Sequence, residues 1–193
     1  MNQEAISTDE LKIKLARLLA EKSYLEGDFT LSSGLKSDYY FDCRQTSLHP
    51  EGAWLIGTLT ARLLAPLGID GVGGMTMGAD PLITATSLAA RAQGLFWPGL
   101  IVRKEAKKHG TGRNLEGMAN FNEGACIGMV EDVVSTGGSV LKACESVRAA
   151  GLVVRDVCCV LDRDMGGREA LKNIGCELHT IFTREELVRF SKM

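Results

Sequence analysis

A chain of 193 residues, 45% hydrophobic and 24% charged, is long enough to bury a sizeable core within one domain. Its net charge of −2 and pI of about 6 give no support to nonspecific nucleic-acid binding. No apolar run approaches the ~18 residues a membrane helix needs, and the N-terminus has no basic region leading into an apolar stretch, so neither anchor nor leader is expected. The cysteines at 43, 126, 144, 158, 159 and 176 show neither C-x-x-C nor zinc-ligand spacing. Cys126, Cys158, Cys159 and Cys176 lie in apolar runs, where cysteine serves as a small buried hydrophobe, and a reducing cytoplasm follows.

In chain order, Ser7 and Glu10 form a capping-box pattern ahead of Leu11, Leu15, Leu18 and Leu19, an apolar helical stripe that should end near Lys22. Two short strands are expected around residues 29–31 and 39–42, joined by a Ser/Gly/Lys turn. Pro50 suits the first turn of a second helix carrying Leu55, Leu59 and Leu63, with Gly68 just past its end. From Ile69 the rhythm is strand, loop, helix. Strands are expected at 69–72, 95–102, 125–130, 153–161 and 176–182, and helices at 80–92, 139–149 and 167–174. Pro98 marks the second of these strands as irregular or an edge. Thr183 and Glu186 cap a short terminal helix. This alternation predicts an α/β fold: a central, mostly parallel five-stranded sheet flanked by helices, with ligands at the strands' C-terminal ends. Residues 1–48 form an N-terminal helix and hood, and residues 49–193 a Rossmann-like core, in a single domain.

The polar segment 103–121 interrupts the rhythm with almost no periodicity. Its opening, Arg103-Lys104-Glu105-Ala106-Lys107-Lys108-His109-Gly110, sets four fixed positive charges against one negative. Long irregular segments in compact domains are commonly functional, and this one is expected to carry cations onto an anionic substrate and exclude water as it closes.

The most informative stretch is Val130-Glu131-Asp132-Val133-Val134-Ser135-Thr136-Gly137-Gly138-Ser139. An apolar strand, two acids, a Ser/Thr/Gly loop and a helix follow one another. Loop amides and the helix dipole favour an anion, and glycines let the backbone approach a phosphate closely. Carboxylates repel phosphate, so the acids should face sugar hydroxyls, and a phosphorylated ribose satisfies both halves. The chain has no G-x-x-x-x-G-K-[ST] string, which sets aside P-loop hydrolases. Gly71-x-Gly73-x-x-Thr76 lacks the third glycine of the dinucleotide fingerprint and the acid about 20 positions on.

The stretch resembles the phosphoribosyl pyrophosphate (PRPP) signature of the type I phosphoribosyltransferases. Within that family, Arg103 to Gly110 is similar to the catalytic loop of the orotate phosphoribosyltransferases, and Phe29-Thr30-Leu31-x-Ser33-Gly34-x-x-Ser37-x-Tyr39-Tyr40-Phe41 is similar to their hood. Leu161-Asp162-Arg163 also fits. The resemblance implies the type I phosphoribosyltransferase fold and transfer of ribose 5-phosphate from PRPP to orotate, giving orotidine 5′-monophosphate and pyrophosphate in pyrimidine biosynthesis. It implies Mg²⁺, held mainly by PRPP and water, and a cytoplasmic homodimer whose catalytic loop serves the neighbouring subunit. Nucleic acid and membranes are not expected partners.

The same resemblance distributes roles. Lys107, Arg103 and Asp132 are the catalytic candidates. PRPP falls to Arg103, Lys104, Lys107, His109, Glu131, Asp132, Val133, Val134, Ser135, Thr136, Gly137, Gly138 and Ser139. Orotate falls to Ser135, Arg163, Tyr40 and Phe41. Family members often carry lysine where this chain has Ser32, and Tyr-Lys where it has Thr76-Met77. Lys36 is the candidate replacement for the first charge; from Thr76 to Gly78 the backbone amides remain for an anion. Two rival readings are an enzyme for another base, which the hood and Arg163 disfavour, and a PRPP-sensing regulator that binds nucleic acid, which the net charge and the basic loop disfavour.

Overall fold

The structure, a computed structural model, describes residues 6–30, 36–104 and 114–193. Helix α1 (Thr8–Lys22) starts where the Ser7 hydroxyl accepts a hydrogen bond from the Glu10 amide at 3.2 Å. Its stripe of Leu11, Leu15, Ala16 and Leu19 is buried, and α1 packs on two helices introduced below, α3 and α7. The antiparallel pair β1 (Tyr24–Thr30) and β2 (Lys36–Phe41) follows. It begins earlier than the sequence pattern suggests, because Tyr24 and Leu25 pair with Phe41 and Tyr40. The turn expected between the strands lies at 31–35, outside the described residues. A single turn of helix, α2 (Arg44–Ser47), leads into α3 (Pro50–Leu64), and a 3-10 turn then ends at Gly68.

The central sheet is built from β3 (Gly71–Met75), β4 (Gly99–Val102), β5 (Leu115–Glu116), β6 (Ile127–Val134), β7 (Asp156–Asp162) and β8 (Glu177–Thr183), in the order β5-β4-β3-β6-β7-β8. The expected five strands run parallel, and β5 adds a sixth, antiparallel to β4. That short strand lies within the segment the sequence left irregular. Leu115 is buried and pairs with Val102, a contact too brief to leave a periodic trace. β4 begins only after Pro98, as the missing N–H of proline requires. β6 extends to Val134 because β7 continues to pair with it at Val133 and Val134, so the two acids lie inside the strand rather than beyond its end.

Both faces of the sheet are covered. On one, Val72, Val130, Cys158 and Val160 join α1, α3 and α4 (Asp80–Ala92) in a single apolar cluster. On the other, Met129, Val157 and Cys159 pack with Val140, Ala143 and Cys144 of α5 (Gly138–Ala149) and Leu171 of α6 (Gly167–Asn173). Neighbouring strand residues thus alternate between two buried faces, as a parallel sheet demands. Helix α7 (Arg184–Ser191) carries the expected reciprocal capping box of Thr183 and Glu186. All six cysteines are buried and free. Among the described residues no helix is long and apolar enough to cross a membrane.

Candidate active site

From β3 the chain crosses to β4 on one side, and from β6 it crosses to β7 on the other. Loops leaving neighbouring strands in opposite directions open a crevice at the C-terminal ends. A cavity of about 890 Å³ occupies that position. The residues following β3, the end of β6 with its loop, the end of β2, Lys104 and Arg163 line it.

Glu131 and Asp132 both line the cavity but differ in environment. Glu131 is 6% exposed; its Oε1 accepts the Asp132 amide at 3.2 Å, and its buried Oε2 has no partner among the described residues. Burial, and secondly the charge of Asp132, push the Glu131 carboxyl well above the usual carboxylate range. Asp132 is half-buried, with Oδ1 accepting the Val133 amide at 2.8 Å. A Cβ at Gly78 would lie 2.9 Å from the Asp132 carboxylate, so the loop after β3 abuts this acid closely.

The loop of Ser135, Thr136, Gly137, Gly138 and Ser139 runs from β6 into α5 along the cavity wall. Gly137 sits at φ 84°, in the left-handed region that glycine adopts without steric cost. The first amides of α5 lack intrahelical acceptors and, with the helix dipole, favour an anion. Behind the loop stands the start of α6. The Gly167 amide donates to the Ser135 carbonyl at 2.9 Å, and a Cβ at Gly167 would come within 2.6 Å of that oxygen and 2.4 Å of Val134 Cγ1.

On the hood side Tyr40 is 40% exposed, while Phe41 is buried yet reaches the same cavity. Arg163 follows β7; its amide donates to the Val134 carbonyl at 2.9 Å, which ties it to the acidic strand. Its guanidinium carbon lies 4.3 Å from the Tyr39 ring centre. Tyr39 stacks on Tyr24 with centroids 5.1 Å apart, and Arg184 approaches the same ring while donating to Asp38 at 2.6 Å. Burial raises the Tyr39 hydroxyl's pKa, and the nearby Arg163 charge opposes the shift.

The structure therefore gathers Glu131, Asp132, Val133, Val134, the loop 135–139, Lys104, Thr76, Met77, Tyr40, Phe41 and Arg163 around one cavity. It does not bring Arg103 or Lys36 into that lining. Arg103 pairs with Glu116 at 3.2 Å at the base of the basic segment, and Lys36 bonds Thr30 at 3.0 Å beside a separate cavity of about 470 Å³. Lys107 and His109 lie outside the described residues, as does Ser32. Thr76 has its hydroxyl engaged with Asp80 at 2.8 Å, and Met77 is 63% exposed. Sequence reasoning passed over Asp42, Arg44 and Thr30, all in the lining, whereas Gly78 lines it together with Thr76 and Met77 as expected. An Asp-x-Arg spacing at the end of a strand was the available signal for the first two.

Among the described residues no cluster of three or more His, Cys, Asp or Glu forms a candidate metal cage. No family model matches the chain. An orotate phosphoribosyltransferase of Nostoc sp. is 45% identical over 177 residues, covering 92% of this chain and 85% of the relative. That of Thermosynechococcus vestitus is 43% identical, covering 94% and 95%. The structure of Mycobacterium tuberculosis orotate phosphoribosyltransferase in complex with PRPP superposes with a TM-score of 0.77 at 33% identity, covering 92% of this chain and 99% of that one. With relatives this similar over nearly its whole length, and with the anion loop, paired acids and hood facing one crevice, the chain belongs to the orotate phosphoribosyltransferase family.

Proposed function

We infer that this chain transfers ribose 5-phosphate from PRPP to orotate, the bond from ribose C1 to pyrophosphate breaking as one to the orotate ring nitrogen forms. The product is orotidine 5′-monophosphate, a pyrimidine nucleotide precursor. One observation carries the reading: the anion loop, the two acids, Tyr40 and Arg163 all line a single cavity. Members of the family named above supply the substrates that fit it.

The amides and hydroxyls from Ser135 to Ser139 hold the 5′-phosphate at the start of α5. Asp132 accepts from ribose hydroxyls. Glu131, whose carboxyl burial pushes above the usual carboxylate range, faces the same hydroxyls from its buried position. The guanidinium of Arg163 and the Ser135 hydroxyl face the anionic base, and Tyr40 and Phe41 lie against its plane. Lys104, with the backbone of Thr76 and Met77, receives the pyrophosphate. Arg103, Lys107 and His109 approach it from the partner subunit of a homodimer. Positive charge grows on the sugar and negative charge on pyrophosphate as the bond breaks, so positioning and electrostatics supply most of the catalysis. Lys107 and Arg103 stabilise the leaving charge, and Asp132 the sugar.

Mg²⁺ fits this lining: a small cation that keeps its waters and takes substrate phosphates needs only a carboxylate such as Asp132, not a protein cage. When bound it neutralises pyrophosphate charge. The hood (1–48) and core (49–193) act together as one cytoplasmic enzyme.

The test is the loss of orotate absorbance on adding PRPP and Mg²⁺. Turnover that requires both is the expected result. Orotate left untouched while a purine or uracil is consumed overturns the reading, and so does binding of PRPP or RNA without turnover of any base.

A further inference from the structure

Three acids (Asp42, Glu131, Asp132) and three bases (Arg44, Lys104, Arg163) line the large cavity among the described residues. Roles follow from the chemistry above for every one except the Asp42 and Arg44 pair. Asp42 follows β2 directly after Phe41, and Arg44 opens α2. The Asp42 carboxylate grips one edge of the Arg44 guanidinium, accepting from Nε at 2.8 Å and from Nη2 at 3.1 Å. It also accepts the Arg44 amide at 3.2 Å and the Gln45 side-chain amide at 3.3 Å. This fork holds Asp42 below the usual carboxylate range, so it stays charged. The Arg44 side chain remains 43% exposed, and its Nη1 amino group has no partner among the described residues. A guanidinium fixed along one edge and open on the other is pre-organised for an anion, with little further rotamer freedom to lose on binding.

Position selects which anion. The 5′-phosphate has the start of α5, and the base has Arg163. The loop after β3 presents Thr76, exposed Met77 and Gly78, with no cationic side chain, and Gly78 abuts Asp132. Pyrophosphate carries the highest charge of any part of PRPP, yet Lys104 is the one cation so far assigned to it among the described lining residues.

We propose that Arg44, braced by Asp42, is a binding residue for the pyrophosphate of PRPP and supplies charge that the loop after β3 lacks. The proposal rests on the transferase reading above. Arg44 acts on PRPP and free pyrophosphate, and leaves orotate recognition alone. Asp42 is a positioning residue that holds the fork.

Steady-state kinetics and pyrophosphate inhibition of Arg44→Gln, Arg44→Lys and Asp42→Asn test it. Losing one charge-assisted hydrogen bond to an anion corresponds to roughly a tenfold to hundredfold weakening. Arg44→Gln should raise the KM for PRPP and the inhibition constant of inorganic pyrophosphate by that factor, with the KM for orotate within about twofold. Arg44→Lys, which keeps the charge but loses the fork, should fall between. Asp42→Asn should move the same two constants in the same direction, with the melting temperature close to that of the parent. An Arg44→Gln protein that turns over orotate with unchanged constants for PRPP and pyrophosphate overturns the role of Arg44 and leaves the transferase reading intact. An equal rise in the orotate and PRPP constants, with a lowered melting temperature, also overturns it, since that marks a structural role. A parent protein that does not consume orotate overturns the transferase reading itself.

Discussion

The guanidinium of Arg163 rests 4.3 Å from the centre of the Tyr39 ring, and Tyr39 in turn stacks on Tyr24. A side chain from the core thus rests on an aromatic of the hood, which holds a flat cation at the place proposed for the anionic base. A cation–π contact of this kind contributes about 0.5–2 kcal/mol. Tyr39→Leu should therefore raise the KM for orotate roughly threefold to thirtyfold, while Tyr39→Phe, which keeps the ring, stays near the parent. An unchanged KM for orotate in the leucine variant would show that Arg163 needs no platform.

The buried acid Glu131 predicts an unusual dependence of stability on pH. Its folded-state pKa lies above the unfolded value, with burial the first cause and Asp132 the second. Between those two values the native chain binds more protons than the unfolded chain, so this group's contribution falls as pH rises. The contribution is complete below about pH 4.3, the ordinary glutamate value, and is lost as pH climbs toward the raised folded pKa. Glu131→Gln cannot ionise and removes this slope. Urea melts of parent and variant should diverge in the variant's favour from pH 5 to pH 8, even as the variant binds PRPP less tightly. Parallel curves would mean that Glu131 ionises normally in the folded protein.

Much of this was legible because the informative residues are contiguous. The order of acids, Gly-rich loop and helix from Glu131 to Ser139 points to an anion loop, and the alternating strands and helices dictate a parallel sheet with a crevice at its C-terminal ends, where the structure places that loop. Relations between distant segments left no such trace. Nothing local to Gly167 announces that it backs the loop at Ser135, and nothing local to Tyr39 announces Arg163 above it. The placement of Lys36 illustrates the same limit. Spacing from Ser32 along the sequence does not say where the ammonium goes, and Lys36 bonds Thr30 beside a separate cavity. Arg44 shows the same limit, since nothing local to it announces that it lines the cavity with the residues of β6.

Gly167 gives a prediction about the phosphate loop from outside it. An added methyl would press on Val134 Cγ1 at 2.4 Å and on the Ser135 carbonyl at 2.6 Å, and the second contact is with backbone that cannot rotate away. Overpacking of this kind costs about 1–3 kcal/mol. Gly167→Ala should lower the melting temperature and weaken PRPP binding together, because relief comes only by moving the loop. Ribose 5-phosphate, which lacks the pyrophosphate, should lose affinity in parallel. An alanine variant that melts lower but binds ribose 5-phosphate like the parent would place the relief in α6 instead.

The shared catalytic loop has its own test, independent of any single side chain's geometry. Arg163 lines the cavity of its own subunit, whereas Lys107 is proposed to serve the neighbour's. In a two-fold dimer combining Lys107→Ala in one chain with Arg163→Ala in the other, a loop acting in trans leaves one site with both residues intact and the other with neither. Such a heterodimer should recover about half the activity of the parent dimer, since one of two symmetric sites is whole. A loop acting in cis leaves each site with one defect, and the mixture stays as inactive as its parents. Purified heterodimers carrying two different affinity tags separate these outcomes cleanly, because both homodimers are removed before the rate is measured. Recovery that rises with the heterodimer fraction supports the shared site; activity no higher than either homodimer sinks it.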